Sequence, residues 1–289
     1  MYVYYIMKYN FINNFIPDKI EKYIISEINT KPPICYSRLS DEDKKILQDK
    51  IINNKILNKD KIINMEIINS IRSAFIKNKM IRNHHFIIKN IINITNDYNS
   101  HMNILKLTKK YDISPLNLLR TIFKNKYNDD IITLYKNPKL LDDFDKEQLN
   151  TAIANDNYAL INQDIIQNDA SLFENKIQLL LEKNNIKFKT QEELTHEQIK
   201  LYGHPKSTPD FLIDKNEELY FNNIKINWID AKNFYGSNID FIKDKIKKQI
   251  KKYINNYGSG CIIFSLGYNE KLIFENCIVI DYNSFKYIM

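Results

Sequence analysis

The sequence predicts an all-α N-terminal domain followed by an α/β C-terminal domain. Three observations carry this. All five glycines, Gly203, Gly236, Gly258, Gly260 and Gly267, lie beyond residue 200, and glycine marks turns and close backbone approaches. The glycine-free part shows apolar residues at helical spacing, segment after segment. The last third shows short apolar runs rich in β-branched and aromatic residues, separated by turn signals. The boundary falls loosely between residues 150 and 170, which gives a helical domain over 1–160 and an α/β domain over 161–289.

Within the first part, "SDEDKKILQDKIINNKIL" opens as a helix with Ser40 as cap and acids in the first turn. "DKIINMEIINSIRSAFIKNKM" follows with helical spacing. Residues 103–127, "NILKLTKKYDISPLNLLRTIFKNKY", form a helix-turn-helix pattern. "DIS" is the tight turn, Ser114 caps the second helix, and Pro115 takes its first position, where a missing N–H costs nothing. Leu119, Ile122 and Phe123 face inward. Asn117, Arg120, Thr121 and Lys124 then share the outer face. That face reads either as a nucleic-acid recognition surface or as the solvated side of two packed helices. Residues 128–170 read as polar helix, with a break and restart at "NPKLLDDFDKEQL".

The last third begins with a helix from "SLFENKIQLLLEK", whose apolar face is Phe173, Ile177, Leu180 and Leu181. A short strand near "IKF" follows, then a strand at "TPDFLID". "LYFNNIKINWIDAKNF" is a hairpin running on into a longer strand. "NIDFIKDKIKKQIKKYINNYG" is an amphipathic helix that stops at Gly258. "CIIFSLGY" and "KLIFENCIVIDY" are buried strands. The expected order is helix, three strands, helix, two strands, a sheet covered by helices.

The 289 residues are 44% apolar and 27% charged, enough to build a core and stay in solution. A disordered chain is excluded. The net charge of +7 points to an anionic partner. Most of that charge is lysine, which with Asn and Ile reflects an AT-rich coding bias, so lysine count alone carries little. Cys35, Cys261 and Cys277 include no C-x-x-C pair, which argues against a zinc site and a disulfide framework and for a reducing compartment. The N-terminal "MYVYYIMKYNFINNFIPDKI" is too short and too polar to span a bilayer. It has no small-residue cleavage site. The expected location is intracellular, cytoplasmic or nuclear, with no membrane partner.

The chemistry gathers in the last third. Asp210 starts one strand, and Asp230 and Lys232 sit two apart on another, so both side chains point to one face. Two carboxylates converging from neighbouring strands repel each other unless a divalent cation lies between them. An oxygen-ligand site with open positions suits Mg²⁺. A lysine beside it can orient a water and stabilise developing charge. The plainer alternatives are a turn residue for Asp210 and an exposed ion pair for Asp230 and Lys232. Glu174 is the candidate third acid, although Ser171-x-x-Glu174 also reads as a capping box. Gln249 falls on the inward face of the basic helix with Ile242, Ile246, Ile250 and Tyr253, and a buried amide needs partners. A substrate phosphate or water would serve, as would a core hydrogen bond. Lys247, Lys248 and Lys251 lie on the outer face, a strip for a phosphate backbone or a solvated surface.

The segments "FENKIQLLLEKNNIKF", "GHPKSTPDFLI", "NWIDAKNFYG" and "NNYGSGCIIFSLGY" resemble, in order, the TPD-motif family of the PD-(D/E)xK nuclease superfamily, which includes the animal codanin-interacting nuclease. "IANDNYALINQD" is similar more faintly. The resemblance implies a restriction-endonuclease-like mixed sheet flanked by helices, and Mg²⁺- or Mn²⁺-dependent cleavage leaving a 5′-phosphate and a 3′-hydroxyl. It carries the acid-acid-acid-lysine set onto Glu174, Asp210, Asp230 and Lys232, and the helix glutamine onto Gln249. Metal ligands would be Asp210, Asp230 and the Ala231 carbonyl, with Glu174 direct or through water. Lys206 is implied as a phosphate contact. The last motif here is Asp-Ala-Lys, where animal members have Glu-Ser-Lys. DNA is the expected substrate, with branched or repair-type structures in view and RNA left open. The superfamily also suggests a homodimer. A non-catalytic nucleic-acid-binding or scaffold protein on the same fold is the rival reading.

Overall fold

The structure is a computed structural model that describes residues 6–11, 15–29, 36–59, 62–158 and 164–289. Cys35, the opening "MYVYY" and part of "IANDNYALINQD" lie outside the described residues. The chain forms two compact units, Tyr23–Met65 with Arg72–Gln163, and Met1–Lys22 with Glu66–Ile71 and Asp164–Met289. Where the sequence suggests one crossing near residue 160, the chain crosses between units several times.

The helical unit draws on α1 (Asp18–Asn29), α2 (Asp41–Leu47), α3 (Met65–Arg82), α4 (His84–Asn99), α5 (Ile104–Tyr111), α6 (Pro115–Tyr127), α7 (Ile131–Lys136) and α8 (Asp143–Asn155). The first turn of α1 and residues Glu66–Ile71 of α3 belong to the other unit. Its core is aliphatic and aromatic, with Ile94, Tyr98, Leu107, Leu119, Ile122 and Phe123 all buried. α5 ends on Asp112 in the left-handed region (φ 52°), and the Ser114 side chain accepts from Asn117 N to start α6 with Pro115 in the first turn. Buried Asp145 accepts from Tyr98 Oη at 2.6 Å, from Lys126 Nζ at 2.6 Å and from Tyr127 Oη. Those donors replace the water that a buried charge loses.

The second unit holds the ten strands found among the described residues: β1 (Ile6–Tyr9), β2 (Phe15–Ile16), β3 (Phe188–Thr190), β4 (Phe211–Ile213), β5 (Glu218–Phe221), β6 (Ile224–Lys225), β7 (Trp228–Lys232), β8 (Gly260–Phe264), β9 (Tyr268–Asn269) and β10 (Cys277–Asp281). It also holds α9 (Asp164–Lys183), α10 (Gln191–Tyr202), α11 (Asp240–Tyr257) and α12 (Tyr282–Ile288). The main sheet runs β10-β8-β7-β4-β3. The β10-β8 and β8-β7 pairs are parallel, and the β7-β4 and β4-β3 pairs antiparallel. This is a mixed α/β architecture.

Alternation along the central strands explains the layering. Ile229, Ala231, Cys261, Ile263, Ile278 and Ile280 point to one face, where Phe173, Ile177 and Leu181 of α9 and Phe285 of α12 cover them. Trp228, Ile262, Phe264, Cys277 and Val279 point to the other, under Ile246, Ile250 and Tyr253 of α11. A sheet buried on both faces reads as continuous apolar runs, as "CIIF" and "CIVID" do. Cys261 and Cys277 are buried free thiols.

Three expectations need correction. Ile6–Tyr9 and Phe15–Ile16 are strands rather than helix: β1 pairs in parallel with β5, and β2 with β9. Helical spacing is absent there, and the β-branched and aromatic density of "IMKYNFI" favours a strand once a partner edge is present. The hairpin β5-β6 joins β1 in a sheet of its own, and β7 belongs to the main sheet. α9 already includes Asp164, so Ser171 lies well inside it and Ser171-x-x-Glu174 is no cap. Among the described residues, no helix is long and apolar enough to cross a membrane.

Candidate active site

β4 and β7 pair as Phe211 with Ile229 and Leu212 with Trp228. One step further, the same antiparallel register sets Asp210 across from Asp230. The ladder opens there. Ala231 N–H donates to Asp210 Oδ2 at 2.6 Å, a side chain taking the place of a strand carbonyl. An extended residue directs its N–H and C=O to the same edge, so the Ala231 carbonyl faces the opening too. Lys232 shares the Asp230 face by the two-residue period, and its Nζ is ion-paired with Asp230 Oδ2.

Burial makes this pairing consequential. Asp210 is 8% exposed and Asp230 0%. Burial, reinforced by the charge of Asp230, pushes the Asp210 carboxyl up to about 8, against the pull of Lys232 and the Ala231 N–H. Burial works against the Lys232 ammonium, but Asp230 and Asp210 outweigh it and hold its pKa above the ordinary lysine value. Glu174, on α9, is half-buried and makes no hydrogen bond or ion pair among the described residues. Burial raises its pKa, Lys232 opposes the shift and Asp230 adds to it.

α11 closes the site from the other face. Gln249 Nε2 donates to Asp230 Oδ1 at 3.2 Å and to Tyr253 Oη at 2.8 Å. Its partners are therefore site groups. Tyr253 Oη also lies 3.3 Å from Asp230 Oδ1 and 3.2 Å from the Thr208 carbonyl. The loop leading into Asp210 is clamped separately. Gln198 Oε1 accepts from Lys206 N at 2.6 Å and Ser207 N at 2.9 Å, and Tyr257 Oη donates to the Ser207 carbonyl at 2.6 Å. Sequence reading missed Tyr253 as a site residue, along with Gln198 and Tyr257. Tyr253 sits four residues after Gln249 on the same stripe, and a buried tyrosine hydroxyl usually finds a partner. That was the available signal.

The donor set suits a hard divalent cation. Two facing carboxylates, the Ala231 carbonyl and the unpartnered Glu174 are all oxygen ligands, as Mg²⁺ and Mn²⁺ prefer. Among the described residues no group of three or more His, Cys, Asp or Glu side chains forms a ready-made metal cage. A two-carboxylate site that leaves several positions to water agrees with Mg²⁺, which dehydrates reluctantly.

The family model described as "Protein of unknown function TPD sequence-motif" matches residues 141–283. That segment carries the TPD family's pattern. Over 273 residues the chain is also 27% identical to Uncharacterized protein L539 of Acanthamoeba polyphaga mimivirus, an alignment covering 93% of this chain and 86% of the relative. No solved structure matches.

The TPD match contains Glu174, Lys206, Asp210, Asp230, Ala231, Lys232, Gln249 and the α11 lysines, and excludes the α5-α6 pair. In that pair Arg120 and Lys124 are exposed and Asn117 and Thr121 half-buried. Thr121 Oγ1 donates to the Asn117 carbonyl and Arg120 to Asn117 Oδ1. Lys206 is exposed, with its Nζ 3.7 Å from the centre of the Tyr202 ring. Lys247 and Lys251 line a groove of about 500 Å³ with Lys243, Ile250, Ile254 and Phe274. Helical spacing puts that flank away from Gln249, which instead shares its side with Lys245 and Lys252. Lys248 points outward from α11 and is exposed.

Proposed function

We propose that this chain is a divalent-metal-dependent nuclease that hydrolyses DNA phosphodiester bonds on a restriction-endonuclease-like core. The observation that carries the reading is the fork between β4 and β7. It holds two buried carboxylates across from each other, with a lysine on the same face. Asp210, Asp230 and the Ala231 carbonyl would hold Mg²⁺ or Mn²⁺, with Glu174 direct or through water. The cation, when bound, supplies a Lewis acid for a phosphoryl oxygen. Lys232 orients the attacking water and offsets charge at the phosphate. Gln249 fixes Asp230 through its amide. The test is cleavage of duplex, single-stranded and branched DNA, and of RNA, with Mg²⁺ or Mn²⁺. Metal-dependent cutting by wild type and none by Asp230→Asn is expected; equal behaviour on every substrate sinks the catalytic reading.

The raised Asp210 pKa has a direct consequence for binding. A carboxyl that keeps its proton near neutrality must lose it to become a ligand, so metal binding expels a proton. Mn²⁺ affinity is expected to rise as pH increases through neutrality to about 8 and to flatten above that. Calorimetry in buffers of different ionisation enthalpy measures both the affinity and the proton count. A pH-independent affinity with no proton release would contradict it.

The α5-α6 surface favours a second reading, a nucleic-acid binder without catalysis. Arg120 and Lys124 stand exposed on the second helix of a capped helix-turn-helix. Metal-insensitive DNA binding without cleavage, lost on combining Arg120→Ala with Lys124→Ala, would favour it.

A further inference from the structure

We infer that Tyr253 is a positioning residue whose hydroxyl braces the two carboxylate-bearing strands at the separation a divalent cation needs. The inference rests on the metal reading above and adds the residue that sets the fork. Tyr253 is 5% exposed, and its hydroxyl reaches both arms. One contact is to Asp230 Oδ1 on β7, at 3.3 Å. The other is to the carbonyl of Thr208, two residues before Asp210, at 3.2 Å. Both are longer than the ~2.7–2.8 Å of a dedicated O–H···O bond, as fits one proton shared between two acceptors. Gln249 Nε2 occupies the hydroxyl's own lone pair at 2.8 Å.

The ring behind that hydroxyl is held by contacts of its own. It packs against Trp228 with centroids 5.1 Å apart. Trp228 is fully buried and donates through Nε1 to the Gly258 carbonyl at 2.8 Å. The packing fixes the hydroxyl against the base of β7, from where it reaches across to the Thr208 segment. Without it, Asp230 keeps Lys232 and Gln249, but nothing on α11 ties Asp230 to the Thr208 segment. Metal ligands depend on such outer partners for their orientation.

Tyr257 supplies the comparison. One turn further along α11, its hydroxyl donates to the Ser207 carbonyl and accepts from Gln198 Nε2 at 3.1 Å. It makes the same kind of loop contact but touches no carboxylate. Loss of a tyrosine hydroxyl bound to this loop is thus common to Tyr253→Phe and Tyr257→Phe. Loss of a contact to Asp230 belongs to Tyr253→Phe alone.

The experiment is Mn²⁺ titration of the full chain by calorimetry for wild type, Tyr253→Phe and Tyr257→Phe, with thermal melts of each. Tyr253→Phe is expected to weaken Mn²⁺ binding about tenfold and Tyr257→Phe by less than about twofold. In the cleavage assay Tyr253→Phe should need correspondingly more Mn²⁺ for half-maximal rate, yet approach the wild-type rate at saturating metal. Unchanged Mn²⁺ affinity in Tyr253→Phe, or equal weakening in both variants, overturns the positioning role and leaves the metal reading standing. Absence of Mn²⁺ binding by wild type overturns the metal reading and this inference with it.

Discussion

Lys232→Met is expected to abolish cleavage while Mn²⁺ binding is retained or strengthened. The ammonium and a divalent cation compete for the same carboxylate, because Lys232 Nζ is ion-paired with Asp230 Oδ2. Asp230 is fully buried and the Lys232 side chain only 16% exposed, so neither charge is screened by solvent. With the lysine gone, the cation is the one remaining counter-charge for Asp210 and Asp230. The rate should still fall. A positive group placed where charge develops is worth about 100- to 1,000-fold in rate, and methionine fills similar space without it. Removing one partner of a buried ion pair also costs about 3–5 kcal/mol. The metal-free variant should therefore melt below wild type, and Mn²⁺ should recover most of the difference. Single-turnover cleavage at saturating Mn²⁺, calorimetry and melts with and without metal give the three readouts. Near-wild-type cleavage, or weaker Mn²⁺ binding, would show that Lys232 is not the group proposed.

Much of this site was legible in the sequence because its parts obey local rules. Asp230-Ala-Lys232 needs only the two-residue period of a strand to put acid and base on one face. Gln249 and Tyr253 need only the helical stripe. What the sequence does not carry is register: whether Asp210 meets Asp230 depends on a strand pairing that β5 and β6 interrupt. Glu174 is ambiguous in the sequence because a capping box is itself a local rule, and only the extent of α9 back to Asp164 removes it. α10 escaped for the opposite reason. Its one buried residue is Leu194, so it shows no apolar stripe, although Thr190 and Glu193 form a capping box at its start. The N-terminal strands were illegible for a non-local reason. The partners of β1 and β2 lie more than 200 residues away, Ile6 facing Glu218 and Phe15 facing Tyr268, and short strands form by pairing rather than by intrinsic preference.

Gly260→Ala is expected to destabilise the α/β unit by about 3 kcal/mol or more, at the upper end for overpacking a core. The residue opens β8, beside Trp228 on β7. A Cβ built on Gly260 would come closer than 3.0 Å to three atoms of the Trp228 indole, and those atoms cannot swing aside. Trp228 is fully buried, packed against Tyr253 and hydrogen-bonded to the Gly258 carbonyl. The indole packs against Tyr253, whose hydroxyl contacts Asp230, so a shift of the ring is expected to disturb the site as well. Gly203→Ala is the control for backbone conformation. Gly203 has φ of +76° but nothing within 4 Å of an added Cβ, so its cost is the left-handed strain alone, roughly 1–2 kcal/mol. Trp228 is the chain's only tryptophan, so its fluorescence during urea unfolding reports on this unit directly. Gly260→Ala should lower the midpoint well beyond Gly203→Ala. Equal midpoints for the two glycine variants would mean that the close packing of Gly260 on Trp228 does not hold β8 and β7 together.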